Sequence, residues 1–286
     1  MADAPYHLSL PEERLTSVIF ASPHSGRDYP AEFLARSVLD RRTIRSSEDA
    51  FIDTLLKPAT ELGAPLLVAN APRAYIDLNR AAEELDPAVI EGVRPNGHNP
   101  RVSSGLGVIP RVVAGGRAIY RGKISLAEAD ARIEGVWKPY HACLCNLVSE
   151  SVAMFGEAIL IDVHSMPHES LEAIAPMDGR RPEIVLGDRF GASAGSAIVD
   201  RIEAAFAAAG LLVARNAPFA GAYVTQTYGR PSQRRHAVQI EIDRSLYMNE
   251  ALIRPNGQFP AFRRLMAQVI AEIVEIGRGE LRLAAE

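Results

Sequence analysis

Two histidines, each just past a short apolar segment, are the residues of this chain best suited to hold a metal ion. His24 follows the segment 18–21, and His164 follows the segment 158–163. Both segments are rich in β-branched residues, which favours buried strands, and open α/β sheets bind ligands at the carboxyl ends of their strands. Two imidazoles at one sheet edge therefore indicate a metal site. The alternative is that each histidine is a hydrogen-bonded structural residue.

Such a site needs a third ligand, a carboxylate or another histidine, because catalytic zinc takes three protein ligands and keeps one open position. A carboxylate near the start of the first predicted helix would complete it. Glu48 and Asp49 are adjacent candidates, and Asp53 follows one turn later. Carboxylates there also stabilise a helix N-terminus, so capping explains one of the first two equally well. Asp162 lies on the same strand face as His164 and is placed to accept a hydrogen bond from its second nitrogen.

Hydrogen-bonding groups are concentrated at the end of a short predicted strand, 74–78. The segment begins with Arg73 and ends with Asp77, Asn79 and Arg80. The guanidinium of Arg80 is able to hold a carboxylate through two parallel hydrogen bonds, which a lysine cannot do. The competing interpretation is a surface ion pair between Asp77 and either arginine.

The predicted strand 237–243 carries a polar face formed by Gln239, Glu241 and Asp243. Near a metal ion, a carboxylate such as Glu241 takes a proton from water and passes it to a leaving group. Without a metal nearby, such a polar face usually points to solvent. The preceding segment, 223–231, is predicted to be a loop that closes over a substrate or an ordinary Gly-Pro turn.

Strands and helices alternate along the chain, which predicts an α/β three-layer sandwich around a mostly parallel mixed sheet. The predicted strands are 18–21, 65–70, 74–78, 158–163, 183–186, 211–214 and 237–243, and the predicted helices are 48–62, 125–155, 192–209 and 260–276. Ser125 and Glu128 are expected to cap the long helix, and Pro139 to bend or split it. We expect a single domain, 1–286, with 81–124 as a long loop-rich insertion.

Charge and composition exclude several classes of function. The chain has 286 residues and a net charge of −4, whereas nucleic-acid binding calls for a basic face. No apolar segment approaches the roughly 20 residues that span a membrane, and the N-terminus lacks the pattern of a signal peptide. Cys143 and Cys145 lie two residues apart in a predicted helix, point in different directions and are expected not to pair. These features favour a cytoplasmic protein, and a homo-oligomer is compatible with them.

Together these motifs resemble the N-formylglutamate amidohydrolase family, zinc hydrolases similar in fold to zinc carboxypeptidases and aspartoacylase. The matching pieces, in chain order, are Ser22-Pro23-His24-Ser25-Gly26, Asp49, Asp77-Leu78-Asn79-Arg80, Tyr140-His141, Asp162-Val163-His164-Ser165-Met166, Gly187-Asp188-Arg189-Phe190, Tyr228-Gly229-Arg230 and Gln239-Ile240-Glu241. Each piece alone has low specificity, but their order spans most of the chain.

The resemblance implies one zinc ion held by His24 and His164 as two of its ligands. Zinc carboxypeptidases supply their first two ligands from a His-x-x-Glu motif, but here Arg27 stands at the position of that glutamate. The remaining protein ligand must therefore come from elsewhere, and we take it to be Asp49, with Glu48 as the second choice.

The resemblance also implies roles for the other polar residues. Glu241 matches the catalytic glutamate, and Arg73 matches an arginine that polarises the scissile carbonyl. Asn79 and Arg80 would hold the α-carboxylate of the substrate, with Arg230 available for a second acidic group.

The function expected from these residues is hydrolysis of the amide bond of a small acidic N-acyl amino acid. N-formyl-L-glutamate, which yields formate and L-glutamate in histidine degradation, is the substrate that the resemblance implies. The alternatives are a related metallo-deacylase or carboxypeptidase-like peptidase with a different substrate, and a non-catalytic binding protein that has kept the fold.

Overall fold

A mixed sheet organises the computed structural model, which describes residues 4–94, 99–172, 174, 176 and 179–278. The strands are β1 (Tyr6–Ser9), β2 (Val18–Ser22), β3 (Leu66–Ala69), β4 (Val112–Val113), β5 (Arg117–Ala118), β6 (Ala158–Met166), β7 (Ile184–Gly187), β8 (Val213–Arg215), β9 (Arg235–Asp243), β10 (Met248–Asn249) and β11 (Arg254–Pro255). The helices are α1 (Ala31–Arg36), α2 (Ile52–Leu55), α3 (Pro58–Glu61), α4 (Pro100–Ser103), α5 (Leu126–Arg132), α6 (Lys138–Phe155), α7 (Ser196–Ala208), α8 (Tyr223–Tyr228) and α9 (Phe259–Ile276).

The main sheet has the strand order β1-β3-β2-β6-β9-β7-β8. Strands β3, β2, β6 and β9 run parallel to one another, while β1 is antiparallel to β3, and β7 and β8 run opposite to β9. The predicted mixed, mostly parallel sheet is therefore confirmed. Strands β6 and β9 lie at its centre, and every residue of β6 is buried.

Helices cover both faces of the sheet because side chains alternate between the faces along each strand. On one face, Phe20 and Ile161 belong to a core completed by α2, α3, α7 and α9. On the other face, Ile19 and Leu160 pack against α6 and α8. This arrangement confirms the predicted three-layer sandwich.

The predicted strand 74–78 is wrong, because this segment forms a turn. The backbone N–H groups of Tyr75 and Ile76 both donate to the carbonyl of Pro72, at 2.9 and 3.3 Å. The free edge of β3, where a further strand would pair, is occupied by the antiparallel strand β1. As a result, the end of the segment turns over the carboxyl end of the sheet instead of joining it.

Two predicted helices are not regular α-helices over their whole length. The predicted helix 48–62 is divided into α2 and α3, because Phe51 has a φ of 69° and Pro58, which lacks an N–H group, begins α3. The predicted helix 125–155 consists of α5, a π-helical turn at Ile133–Trp137 and α6. Pro139 lies in the first turn of α6, just after the π-helical turn. The Ser125 cap is confirmed, since its Oγ accepts the N–H of Glu128 at 3.2 Å.

The segment 81–124 contains the short elements α4, β4 and β5, and its residues 95–98 lie outside the described part of the chain. Its residues Ile90, Ile109 and Ile124 are fully buried in an apolar cluster that also contains Ile76 and a residue of α5. This packing attaches the insertion to the segment that follows β3 and to α5.

Two expectations about the whole chain are tested only in the described residues. There, no helix combines the length and apolar character needed to cross a membrane. Cys143 and Cys145 are both free thiols, as expected from their spacing.

Candidate active site and metal centre

A cleft of about 590 Å³ opens at the carboxyl ends of β2, β6 and β9, with the insertion forming one wall. Its charged and polar lining includes His24, Asp49, Arg73, Asn79, Arg80, Arg101, His164, Gln239, Glu241 and Arg244. The carboxyl edge of the sheet thus brings together most of the residues that the sequence singled out, as the strand-end rule predicts.

Three buried donor atoms converge in the cleft with spacings that suit one metal ion. Nδ1 of His164 lies 3.1 Å from Nδ1 of His24 and 3.0 Å from Oδ2 of Asp49. The remaining pair, Nδ1 of His24 and Oδ2 of Asp49, is 3.5 Å apart. Ligands at about 2.0–2.1 Å from a tetrahedral zinc ion lie about 3.3 Å from one another. Two imidazoles and one carboxylate, with the cleft open beside them, form a donor set that could hold a metal ion.

Each histidine is oriented by a carboxylate on its other ring nitrogen. Nε2 of His24 lies 2.7 Å from Oδ1 of Asp77, and Nε2 of His164 lies 3.0 Å from Oδ2 of Asp162. This leaves Nδ1 of both rings available to a metal ion, and carboxylate–histidine pairs of this kind surround many bound metals. Asp162 takes the role that its strand position predicts, whereas sequence reasoning placed Asp77 only in an ion pair.

The charges around these residues keep the carboxylates ionised. Burial alone raises the pKa of Asp77, but Arg73 and His24 hold that pKa well below its usual range. Burial likewise opposes ionisation of Asp49, and its contacts with His164 and His24 hold its pKa well below the ordinary value. An ionised carboxylate is the form that binds a metal ion.

Asp49 is fixed in place by its backbone and by its second carboxylate oxygen. Its N–H donates to the carbonyl of His24 at 2.9 Å. Its Oδ1 accepts hydrogen bonds from Oγ of Ser165 at 3.1 Å and from the guanidinium of Arg244 at 3.2 Å. Because Oδ1 is occupied in this way, Oδ2 is left to face the two histidines.

The other candidate carboxylates are engaged elsewhere. Glu48 pairs with Arg45 at 2.9 Å and accepts the hydroxyl of Tyr29 at 2.7 Å. Asp53 pairs with Arg27 at 3.0 Å. Among the described residues, the group with metal-ligand spacing is the one that contains Asp49.

Glu241 lies next to His164 in the parallel register of β6 and β9. Nε2 of Gln239 donates to its Oε1 at 2.8 Å. Burial raises the pKa of Glu241 to about 7, although the neighbouring positive charges act in the opposite direction. A buried carboxyl whose pKa lies near neutral pH is suited to accept and return a proton.

Arg73 and Arg80 both line the cleft beside Asp77. Nε of Arg73 lies 3.0 Å from the Asp77 carboxylate, and Nε of Arg80 lies 4.0 Å from it. The ion pair considered from the sequence is therefore present, but it lies inside the site. Arg80 is further fixed by the carbonyls of Leu106 and Asn79, at 2.9 and 2.7 Å.

The side chain of Asn79 has protein partners on both of its polar atoms. Its Oδ1 accepts the N–H of Val224 at 2.8 Å, at the start of α8. Its Nδ2 lies 3.3 Å from the Asp162 carboxylate and 3.4 Å from Oε1 of Gln239. Asn79 therefore links α8 to the carboxylate that orients His164.

Arg230 is not brought into the cleft, although its motif suggested a substrate ligand. Its guanidinium donates to the carbonyls of Gln226 and Gly229, both at 2.6 Å. Its backbone bridges Arg235 at the amino end of β9, six residues or about 20 Å from Glu241 at the rise of an extended strand. The segment 223–231 begins with helix α8, so it is not the loop or simple turn that the sequence predicted.

Two contributors to the site were missed in the sequence. Arg244 follows β9 directly, and its guanidinium binds both Asp49 and Ser165. Its position one residue beyond a strand with a polar face was an available signal. Arg101 belongs to the insertion, where no periodic pattern connects it to the strand ends.

The sequence matches known proteins over most of its length. The model of the N-formylglutamate amidohydrolase family matches residues 16–248. N-formylglutamate deformylase of Pseudomonas aeruginosa is 34% identical over 241 residues, which are 82% of each chain. The enzyme of the same name from Pseudomonas putida is 29% identical over 251 residues, 85% of each chain.

Solved structures agree with this assignment. The N-formylglutamate amidohydrolase of Ralstonia eutropha superimposes with a TM-score of 0.89 and 36% identity, covering 96% of this chain and 99% of that one. A gene product of Agrobacterium tumefaciens shares the fold at a TM-score of 0.66 and 17% identity, with 96% of each chain covered. The resemblance carried by the sequence motifs is confirmed, and this chain belongs to the N-formylglutamate amidohydrolase family.

Proposed function

We propose that this protein is a zinc-dependent deformylase that hydrolyses N-formyl-L-glutamate to formate and L-glutamate. The observation that carries the proposal is the convergence of His24, Asp49 and His164 beside Glu241 in one cleft. Family membership and relatives named for this reaction support the choice of substrate. Free cysteines are consistent with a cytoplasmic location, which we include in the proposal.

His24, Asp49 and His164 are the residues that would hold the metal. Their mixed nitrogen and oxygen donors, three in number, match a catalytic zinc site, and Asp77 and Asp162 orient the two imidazoles. When bound, zinc supplies Lewis-acid chemistry, which increases the acidity of water and polarises a carbonyl group.

Glu241 acts as the general base and then as the general acid. It accepts a proton from the attacking water as that oxygen bonds to the formyl carbon. It then donates the proton to the amide nitrogen as the C–N bond breaks, which releases formate and the free amino acid. Its raised pKa of about 7 suits a group that must both accept and return a proton.

Two arginines position the substrate in this proposal. Arg73, held against Asp77 at 3.0 Å, stabilises the negative charge that develops on the carbonyl oxygen. Arg80, deeper in the cleft wall and only 7% exposed, binds the α-carboxylate. Asn79, with both polar atoms engaged, supports this arrangement by fixing α8 and Asp162.

Formate release by the purified protein tests the proposal. The zinc-loaded protein is expected to release formate from N-formyl-L-glutamate, to lose activity on exhaustive chelation, and to regain it when zinc is restored. Cleavage of peptides without formate release would instead favour a carboxypeptidase-like peptidase. Binding of the substrate without any turnover would favour a non-catalytic protein.

A further inference from the structure

Arg101 lines the cleft but has no role in the proposed reaction. It lies on α4 of the insertion, and its guanidinium is exposed in the cleft wall. Asn99 anchors the helix, since its Oδ1 accepts the N–H groups of Arg101 and Val102 at 3.0 and 3.3 Å. The side chain therefore projects from a fixed backbone position.

The other arginines of the cleft are bound to protein groups. Arg73 pairs with Asp77, and Arg244 binds both Asp49 and Ser165. Arg80 donates to two backbone carbonyls. Within the described residues, no hydrogen bond or ion pair is formed by the guanidinium of Arg101, so its hydrogen-bonding capacity is available to a ligand.

Arg80 and Arg101 also lie close enough for their charges to interact. Burial lowers the pKa of Arg80, and the charges of Arg73 and Arg101 lower it further, against the opposing effects of Asp77 and Glu84. Two like charges facing one cleft are unfavourable unless an anion lies between them. The acidic residues that line the cleft, Asp49 and Glu241, belong to the metal centre and the base.

We propose that Arg101 determines specificity by binding the side-chain carboxylate of an acidic N-acyl amino acid while Arg80 holds the α-carboxylate. This inference rests on the proposed function, because it assumes that the substrate occupies this cleft. It assigns to the insertion wall the second acidic subsite that the sequence motifs had suggested for Arg230. The insertion then serves as the part of the fold that selects the amino acid.

Ligand binding separates this inference from the proposed activity. The host is the zinc-loaded E241Q protein, in which slow turnover allows calorimetry with intact ligands. N-formyl-L-glutamate is compared with N-formyl-L-glutamine, which has a neutral side chain of nearly the same shape. R101Q is introduced into this host, and R121Q, an exposed arginine of the same insertion outside the cleft lining, is the matched control.

We expect R101Q to weaken binding of N-formyl-L-glutamate about tenfold, a modest factor because water screens an exposed ion pair. Binding of N-formyl-L-glutamine should change less than about twofold, R121Q should behave like the host, and R101K should restore part of the loss.

The inference is overturned by an equal loss for both ligands, by no loss for either, or by a host that does not prefer the dianion. Formate release by the wild-type protein is measured separately. A protein that releases no formate but shows the expected change in ligand preference refutes the proposed activity and leaves the role of Arg101 standing.

Discussion

His164 and Glu241 are direct neighbours across the parallel pair of strands β6 and β9. Parallel neighbours in register project their side chains from the same face of the sheet. Two central strands therefore place the proposed metal ligand His164 and the proposed general base Glu241 side by side. The other two candidate ligands lie outside the insertion as well: His24 follows the neighbouring strand β2, and Asp49 lies in the loop just before α2. The proposed reacting groups therefore depend little on the long insertion.

Replacement of Glu241 by glutamine should abolish most of the activity without emptying the metal site. We expect kcat to fall by about 10²–10⁴-fold, the usual contribution of a general base, while zinc content stays at the wild-type level. Formate release and metal analysis on the same preparation measure both quantities. Glu272→Gln, on the exposed face of α9, is the control; a Glu241→Gln protein with near wild-type kcat would exclude the base role.

The pH dependence of activity should follow the ionisation of Glu241, which must be deprotonated to accept a proton. Burial raises its pKa to about 7 in the metal-free chain, so the fraction of active base rises with pH and is lost as pH falls below that value. A bound dication favours the carboxylate and moves this transition to lower pH. The logarithm of kcat/KM should rise with a slope of about one below the pKa and then level off, whereas a rise on acidification would contradict the assignment.

Much of the candidate metal centre was predictable from sequence because its two histidines lie at strand ends. His24 and His164 follow apolar strands, and the alternation of strands and helices requires those ends to meet at one edge of a parallel sheet. Asp162 was predictable from the two-residue period of the same strand. The segment 74–78 was mistaken for a strand because local alternation does not reveal that β1, more than sixty residues earlier, already occupies the edge.

The substrate side of the cleft was less predictable, because it depends on how irregular segments fold back. Arg230 belongs to a motif that resembles a substrate-binding motif. Its backbone, however, pairs with the amino end of β9, whereas the cleft lies at the carboxyl end. Arg101 comes from an insertion that packs, through apolar residues, against the segment after β3 and against α5. Neither fact is encoded in a local periodicity.

The carboxylates that orient the histidines should contribute to metal affinity without touching the ion. Asp77→Asn and Asp162→Asn are each expected to weaken zinc binding by about 10–100-fold, because each removes the carboxylate that faces Nε2 of one ring. Competition with a chromogenic chelator measures the affinity. Asp53→Asn, which breaks only the ion pair with Arg27, should leave zinc affinity unchanged; equal losses in all three proteins would point to general destabilisation.

Asn79→Ala distinguishes a positioning residue from a substrate ligand. Asn79 accepts a hydrogen bond from the N–H of Val224, and its Nδ2 approaches the Asp162 carboxylate. We therefore expect the substitution to lower kcat about tenfold or more while KM changes little. Arg80→Gln should show the opposite pattern, a raised KM from the loss of a carboxylate contact. Steady-state kinetics with N-formyl-L-glutamate measure both, and a raised KM with unchanged kcat in Asn79→Ala would return this residue to the substrate-binding set.

Gly26 should be among the positions least tolerant of a side chain, because the backbone of a neighbouring segment passes directly beside it. A Cβ atom there would lie 2.1 Å from the carbonyl oxygen of Ala71, and a backbone atom cannot move aside as a flexible side chain can. We expect Gly26→Ala to destabilise the protein by about 1–3 kcal/mol, the usual range for overpacking. Gly257→Ala, whose Cβ would have no neighbour within 4 Å, is the control, and both are compared by denaturant unfolding. Since Gly26 follows His24 by two residues, the displaced backbone should also weaken zinc binding, and a Gly26→Ala protein with wild-type stability and zinc affinity would show that this close approach is not required.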